Sequence, residues 1–243
     1  MKKQNKFQYI FEDMRMSILE GVFNYGDALP SEHQLVKKYK VSRETVRKSL
    51  NMLASDGMIQ KIRGKGSVVI YHGMTEFPFN DLKSFKEIQN ELALKHQTVV
   101  VLFEKITAGQ AQDAKKALDL SRGRQLWHFI RYRQIGQATK IIDEDYILAD
   151  LFPDLSEEII QDSLYDYIEK DKGYEISFSS KSITFEPFGE RERLAFGDVS
   201  PQYSATVTGI VHLKDTTKFQ YNVSKHIATE FKFTDFSRRH THV

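Results

Sequence analysis

The feature that most constrains this chain is the stretch SRETVRKSLNMLASDGMIQKIRGKGSVV, which runs from Ser42 to Val69. Its first half predicts a helix, because Ser42 is a favoured helix cap and Val46, Leu50 and Leu53 recur on one helical face. Its second half predicts a β-hairpin, since short apolar runs flank a basic turn that contains two glycines. A helix followed directly by such a hairpin indicates a particular structural motif far more specifically than either element does alone.

Two further helices are predicted before this stretch. In FQYIFEDMRMSILEG the apolar residues recur at helical spacing, and Gly21 fits a stop after the last apolar turn. In LPSEHQLVKKYK, Ser31 and Gln34 have the spacing of a capping box at the start of a short second helix. The third helix is expected from about Arg43 to Ser55. Three such helices and a hairpin form a winged helix-turn-helix.

The third helix has a polar face that suits a DNA major groove. Arg43, Arg47 and Asn51 lie on it, opposite the apolar stripe, and arginine matches the paired acceptors of guanine. In the hairpin, Arg63 and Lys65 can neutralise phosphate while the glycines allow close approach to a groove. The alternative for one helix is a solvated charged face, but the surrounding elements favour DNA contact.

The charge distribution supports this interpretation. Residues 1–66 contain 13 Lys and Arg against 7 Asp and Glu, whereas the remainder contains 22 against 26. A small basic end on an otherwise acidic chain is typical of a nucleic-acid-binding module.

The same residues resemble the winged-helix repressors of the GntR group. The group's pattern is matched from Leu29 to Val69, with Ser49 where alanine is usual. The resemblance implies a DNA-binding role for the start of helix two, the start of helix three and the wing. With Arg63 added as a phosphate contact, the expected DNA-binding residues are Ser31, Glu32, Arg43, Thr45, Arg47, Arg63, Lys65 and Gly66.

Composition and missing motifs exclude several functions. The chain has no cysteine, which excludes disulfides, thiolate catalysis and cysteine-ligated zinc. There is no run of 18 apolar residues, so we expect no membrane association and a cytoplasmic location. The G-x-S-x-G, H-E-x-x-H, Walker and dinucleotide-binding patterns are all missing. We therefore expect no enzyme activity, no catalytic residue, no metal site and no cofactor.

Beyond residue 77 the pattern changes to strand-like runs with short helical ones between them. Strands are predicted in TVVVLFEKI, RQLWHFIRYRQI, TKIIDEDYIL, YEISFSSKSITFEPF, YSATVTGIVHLKD and KFQYNVSKHI. Helices are predicted in SFKEIQNELAL, QAQDAKKALDL and SLYDYIEKDK and near ERERLAF. The fold class is therefore α+β with two domains, and the sheet of the second domain is largely antiparallel.

Two arginines in this second region require explanation. Alternation along its strand places Arg131 and Arg133 on one face with Trp127 and Phe129, and buried guanidinium groups need an anionic partner. One interpretation is an internal ion-pair network with Asp143 and Asp145 of the next strand. The other is an anion site, because two arginines at i and i+2 can hold one phosphoryl group. The choice depends on strand register, which the sequence leaves open.

This region also resembles the UTRA effector domain of the HutC subfamily, which has a chorismate lyase-like fold. The resemblance covers about residues 77–233 and implies a sugar-phosphate pocket in which the arginines, serines and tyrosine surround the phosphate. Asp143 and Gln220 stand where glutamate is common, and His226 stands where tyrosine is common. The expected effector-binding residues are Ser84, Arg131, Arg133, Asp143, Ser163, Tyr165, Gln220 and His226.

Together these features predict a winged-helix domain over residues 1–72, a linker over 73–79, and an effector-binding and dimerisation domain over 80–243. The resemblance implies a homodimeric repressor that binds a pseudo-palindromic operator in double-stranded DNA. Similarity to regulators of trehalose utilisation, in FPFNDLKSFKEI and SLYDYIE among other stretches, implies trehalose 6-phosphate as the effector. Three alternatives remain: another sugar phosphate, such as N-acetylglucosamine 6-phosphate, a lyase-like enzyme fused to a DNA-binding domain, or a DNA-bound scaffold with an empty pocket.

Overall fold

The computed structural model describes residues 5–71, 87 and 97–233. The chain divides into two compact units, one of which contains residues 5–71 and the other residues 97–232.

The first unit contains three helices followed by a hairpin. The helices are α1 (Lys6–Leu19), α2 (Glu32–Tyr39) and α3 (Arg43–Ser55), and the strands are β1 (Ile59–Ile62) and β2 (Gly66–Val69). This order confirms the predicted winged helix-turn-helix. The apolar stripes of all three helices meet the hairpin in one core, whose most buried members are Ile10, Met14, Leu35, Val46, Leu50, Leu53, Ile59 and Val69.

Local hydrogen bonds explain where the helices begin. The Ser31 hydroxyl accepts from the Gln34 amide at 3.3 Å, and the Gln34 side chain accepts from the Ser31 amide at 2.8 Å, as the capping box predicts. The Ser42 hydroxyl accepts from the Thr45 amide at 3.2 Å and caps α3. Ser49, which replaces the usual alanine, is buried, and its hydroxyl donates to the Phe7 carbonyl of α1 at 2.7 Å.

The second unit is built on a six-stranded sheet. Its strands are β3 (Gln97–Thr107), β4 (Gln125–Ile135), β5 (Ala138–Leu148), β6 (Ile176–Pro187), β7 (Tyr203–Leu213) and β8 (Lys218–Ile227). Their spatial order is β3-β4-β5-β8-β7-β6, and every neighbouring pair is antiparallel. The predicted antiparallel sheet is therefore confirmed.

Short helices connect these strands. They are α4 (Gln112–Ala117), α5 (Glu157–Asp162), α6 (Leu164–Asp166), which continues as a π-helical turn (Tyr167–Asp171), and α7 (Glu190–Phe196). Helix α5 was not predicted, because its sequence EEIIQD contains only two adjacent apolar residues and no helical periodicity. The predicted helix in SFKEIQNELAL lies outside the described residues, apart from Glu87.

The strand register decides which side chains share a face of the sheet. Arg131 lies opposite Asp143, and Asp143 lies opposite Ser224 of β8. In the adjacent row, Arg133 lies opposite Ile141, which lies opposite His226. Because directly opposed residues project to the same side, the arginines and aspartates share one face, which we call the effector face.

Candidate functional site

The first candidate site lies where α2 and α3 begin. Arg43 and Arg47 project from successive turns of α3, and both donate through Nε to the carboxylate of Glu32 at the start of α2. The distances to Glu32 Oε2 are 2.7 Å from Arg43 and 3.2 Å from Arg47. The hydrogen bond from Arg43 is the main cause that holds the pKa of Glu32 below its usual value. The carboxylate therefore stays ionised and links the two helices.

The hairpin contributes the rest of the basic surface. Arg63, Lys65 and Gly66 are exposed at the tip, where Gly64 and Gly66 have φ of +81° and +90°. At the base of the wing, Lys61 Nζ donates to Asn51 Oδ1 of α3 at 2.6 Å, which ties strand β1 to the third helix. Of the eight predicted DNA-binding residues, Glu32 and Thr45 are half-buried and the other six are exposed: Ser31, Arg43, Arg47, Arg63, Lys65 and Gly66.

The second candidate site is a buried polar cluster on the effector face. Arg131 donates to Asp145 at 2.6 Å and to the Ile160 carbonyl of α5 at 3.1 Å. Arg133 donates through Nε to Asp143 at 2.8 Å and through a terminal nitrogen to Thr98 at 2.6 Å. The predicted internal network of arginines and aspartates therefore forms in the structure.

Strand β8 supplies further donors to the two aspartates. Ser224 donates to Asp143 at 2.7 Å, while Gln220 and Asn222 donate to the same oxygen of Asp145 at 2.7 Å and 2.9 Å. Asp145 is completely buried. A buried carboxylate that accepts from one arginine and two amides is well stabilised, and it fixes the side chain of Arg131, with which it pairs.

The electrostatics of the cluster follow from this pairing. Burial by itself would raise the pKa of Asp143, but the charges of Arg133 and Arg131 outweigh it and lower that pKa below its usual value. Burial and the neighbouring Arg131 lower the pKa of Arg133 to about 10, so both partners are ionised at neutral pH. Burial lowers the pKa of His226 to about 4, which leaves its imidazole neutral.

Two atoms of the cluster have hydrogen-bonding capacity that the described residues do not fully satisfy. Arg131 Nε is buried and has no hydrogen-bond partner among the described residues. Burial raises the pKa of Tyr165, so its phenol keeps its proton, and among the described residues it makes only a long hydrogen bond of 3.3 Å to Gln220. An unpaired buried donor is costly, which favours an acceptor group at this position.

The structure thus brings together most of the predicted effector-binding residues. Ser163 directly follows α5 in the sequence. Its hydroxyl accepts from the Asp166 amide and caps α6, so it makes no hydrogen bond to the described residues of the cluster. Ser84 lies outside the described residues. The sequence predicted Asp145 as an ion-pair partner of the arginines, but not Thr98, Asn222 or Ser224 as members of the cluster, although alternation from Gln220 to His226 pointed to the last two.

A separate polar cluster lies on the opposite face of the sheet. His128 contacts Glu104 through Nδ1 and Glu144 through Nε2, both at 2.9 Å, and its ring stacks on Tyr146. Glu144 also accepts from Arg191 of α7 at 2.7 Å. Glu144 therefore points away from Asp143 and Asp145, as strand alternation predicts, and the three acidic residues do not form one acid–base group.

These features define a class of protein: a DNA-binding regulator with a winged helix-turn-helix unit and an antiparallel-sheet unit that carries a buried polar cluster. The chain belongs to the GntR family of bacterial regulatory proteins, whose family model matches residues 7–69, and the UTRA domain model matches residues 91–232. It is a transcriptional repressor of this family.

Similar proteins agree with the family assignment. The chain is 39% identical to the HTH-type transcriptional regulator TreR of Bacillus subtilis (strain 168), over 98% of this chain and 99% of that protein. It is 28% identical to the mannosyl-D-glycerate transport/metabolism system repressor MngR of Escherichia coli (strain K12), over 96% of each chain. These relatives are named as regulators or repressors.

Solved structures share the fold. The effector-binding domain of the B. subtilis trehalose repressor TreR matches 60% of this chain and 99% of its own length, with a TM-score of 0.53 and 32% identity. The possible transcriptional regulator YydK of B. subtilis matches 96% of this chain and 99% of its own length, with a TM-score of 0.80 and 23% identity. Within residues 5–71 and 97–233, no helix is long and apolar enough to cross a membrane.

Proposed function

We propose that this protein is a homodimeric repressor of a trehalose utilisation operon, and that trehalose 6-phosphate releases it from its operator. The observation that carries the proposal is the buried arginine pair, Arg131 and Arg133, on the effector face. The similarity to a trehalose repressor supports the choice of sugar. We further propose that residues 1–72 bind DNA, residues 73–79 form the linker, and residues 80–243 bind the effector and dimerise.

The cluster on the effector face suits a ligand that has both an anionic group and hydroxyl groups. Arg131 and Arg133 can exchange part of their pairing with Asp145 and Asp143 for the oxygens of a phosphoryl group. The aspartates then accept from sugar hydroxyls, so their charge remains satisfied. Ser84, Ser163 and Tyr165 are proposed as further phosphate contacts, and Gln220 and His226 as sugar contacts.

DNA binding requires two winged helices. A homodimer presents them to two half-sites, so the operator is expected to be pseudo-palindromic. The effector can act only by binding more tightly to a conformation whose half-site spacing does not fit the operator. Because a repressor has to reach its operator DNA, we place the protein in the cytoplasm.

A titration of the operator complex tests the effector. Fluorescence anisotropy on operator duplex should report release by trehalose 6-phosphate, and neither trehalose nor inorganic phosphate should release the DNA at the same concentration. N-acetylglucosamine 6-phosphate is the matched sugar phosphate. If it releases the protein and trehalose 6-phosphate does not, the alternative effector is correct. Turnover of a bound sugar phosphate would instead support the enzyme hypothesis.

A further inference from the structure

The carboxylate of Glu32 is shared by the two arginines of the third helix. Arg43 reaches it at 2.7 Å and Arg47 at 3.2 Å, although the arginine side chains are 70% and 48% exposed. We propose that Glu32 is a positioning residue for sequence readout, which holds both arginines ready for DNA before the operator binds. This inference rests on the proposed DNA-binding function.

The atoms involved in the two ion pairs support this role. Both arginines use Nε to contact Glu32, and their terminal nitrogens make no hydrogen bond with any described residue. A guanidinium anchored through Nε still presents two terminal nitrogens in a fixed plane. Those nitrogens can donate together to O6 and N7 of guanine. Glu32 therefore fixes the orientation of Arg43 and Arg47 without occupying the atoms that read bases.

Preorganisation should matter at these two positions because the side chains are long and exposed. A free arginine loses considerable rotamer freedom when it docks on a base edge, and this loss weakens binding. Glu32 restricts that freedom in the unbound protein. Binding then costs less side-chain entropy. This gain applies only to DNA sequences that place guanines within reach of the two arginines.

The charge of Glu32 has a second effect that acts in the same direction. Phosphate attraction is independent of sequence, and a carboxylate beside two guanidinium groups weakens it. Non-specific affinity therefore falls while specific affinity rises through preorganisation. Specificity depends on the ratio of these two affinities. Glu32, which the family resemblance counts among the DNA contacts, can thus increase the ratio without itself reading a base or binding phosphate.

The test compares Glu32→Gln with Glu44→Gln. Each glutamate lies in the first turn of its helix, so each change removes one charge and one favourable interaction with a helix N-terminus. Glu44 makes no ion pair with any described residue, which makes it the matched control. The probes are the duplex that the full-length wild type selects from a randomised pool and a random-sequence duplex of equal length.

Glu32→Gln should bind the random duplex more tightly and the selected duplex about tenfold more weakly, because two arginines lose their anchor. Glu44→Gln should tighten both affinities equally and keep their ratio. Glu32→Asp keeps the charge but shortens the side chain, so the ratio should fall while the salt dependence stays at the wild-type slope. Thermal melting of each variant verifies folding.

Three results would overturn the inference. Equal specificity ratios for Glu32→Gln and Glu44→Gln would show that the ion pairs have no role in readout. A changed preference at one base pair, with the guanine positions unaffected, would show that Glu32 reads a base directly. If the wild type selects no sequence from the pool, the proposed function itself fails, and this result is distinct because it appears before any variant is made.

Discussion

At the scale of single residues, we expect Arg131 to be required for the proposed response to the effector and not for DNA binding. Its guanidinium is paired with Asp145, while its Nε has no partner among the described residues. We expect Arg131→Ala to preserve operator affinity and to weaken the response to trehalose 6-phosphate by about 100-fold, since a charged contact to phosphate is lost. Anisotropy titrations of operator complexes, with and without the sugar phosphate, measure both quantities.

Controls for this variant follow from the ion pairs. Arg131→Ala leaves the Asp145 carboxylate buried without its cation, which costs about 3 kcal/mol of folding stability. A second variant that adds Asp145→Asn removes the stranded charge and should restore the melting temperature but not the response. Lys140→Ala breaks an exposed ion pair between strand β5 and Glu230, which follows β8, and should change neither activity. Simultaneous loss of DNA binding and response would contradict the separation of roles.

His128 gives a pH dependence to the stability of the second unit. Burial alone would lower the pKa of His128, but hydrogen bonds to Glu144 and Glu104 outweigh it and raise the pKa above the usual value. Burial alone would raise the pKa of Glu144, but hydrogen bonds from His128 and Tyr146 outweigh it and lower that pKa to about 2, so the carboxylate stays charged in mild acid. Both ring nitrogens of His128 then donate, and the ion pairs link β3, β4 and β5.

The sign of the effect follows from linkage. Because the folded pKa exceeds the unfolded value of about 6.5, the contribution is complete below about pH 6.5 and is lost as the pH rises through the folded pKa. His128→Gln should therefore lower the melting temperature by a few degrees at about pH 5.5 and by less at about pH 8.5. His33→Gln, an exposed control, should show no such trend. A melting deficit of His128→Gln that does not vary with pH would refute the assignment.

At the scale of elements, the wing requires glycine at its tip because of the backbone conformation there, and not because a side chain would lack room. A Cβ added at Gly66 meets no atom within 4 Å, but φ there is +90°. Gly66→Ala should therefore strain the hairpin by about 1–2 kcal/mol and weaken operator binding several-fold. Gly123→Ala is the matched control, since Gly123 is equally uncrowded and lacks a positive φ. Equal operator affinities for the two variants would indicate that wing geometry is unimportant.

The elements also show which features local sequence can determine. Caps at Ser31 and Ser42 and the apolar stripes act over three or four residues, so the first unit was predicted almost completely. The effector face depends on pairing between β5 and β8, which are about eighty residues apart, and alternation within one strand could not fix that register. Helix α5, whose Ile160 carbonyl holds Arg131, has too little periodicity to be recognised.

At the scale of the whole molecule, the proposed mechanism couples two sites, and such coupling is reciprocal. If trehalose 6-phosphate weakens operator affinity by some factor, saturating operator must weaken trehalose 6-phosphate affinity by the same factor. We expect a factor of roughly 5 to 150 for a two-state regulator. Calorimetric titration of the effector into free protein and into the operator complex gives the factor by which operator weakens effector affinity. Anisotropy gives the factor by which the effector weakens operator affinity.

The control for reciprocity is a duplex of random sequence, which occupies the basic surface without requiring the half-site spacing of the operator. If effector binding selects against one spacing, random duplex should weaken trehalose 6-phosphate affinity much less than operator does. Equal weakening by both duplexes would mean that DNA charge alone opposes the anionic ligand. Unequal factors in the two operator titrations would instead mean that a further species, such as a dissociated monomer, takes part in release.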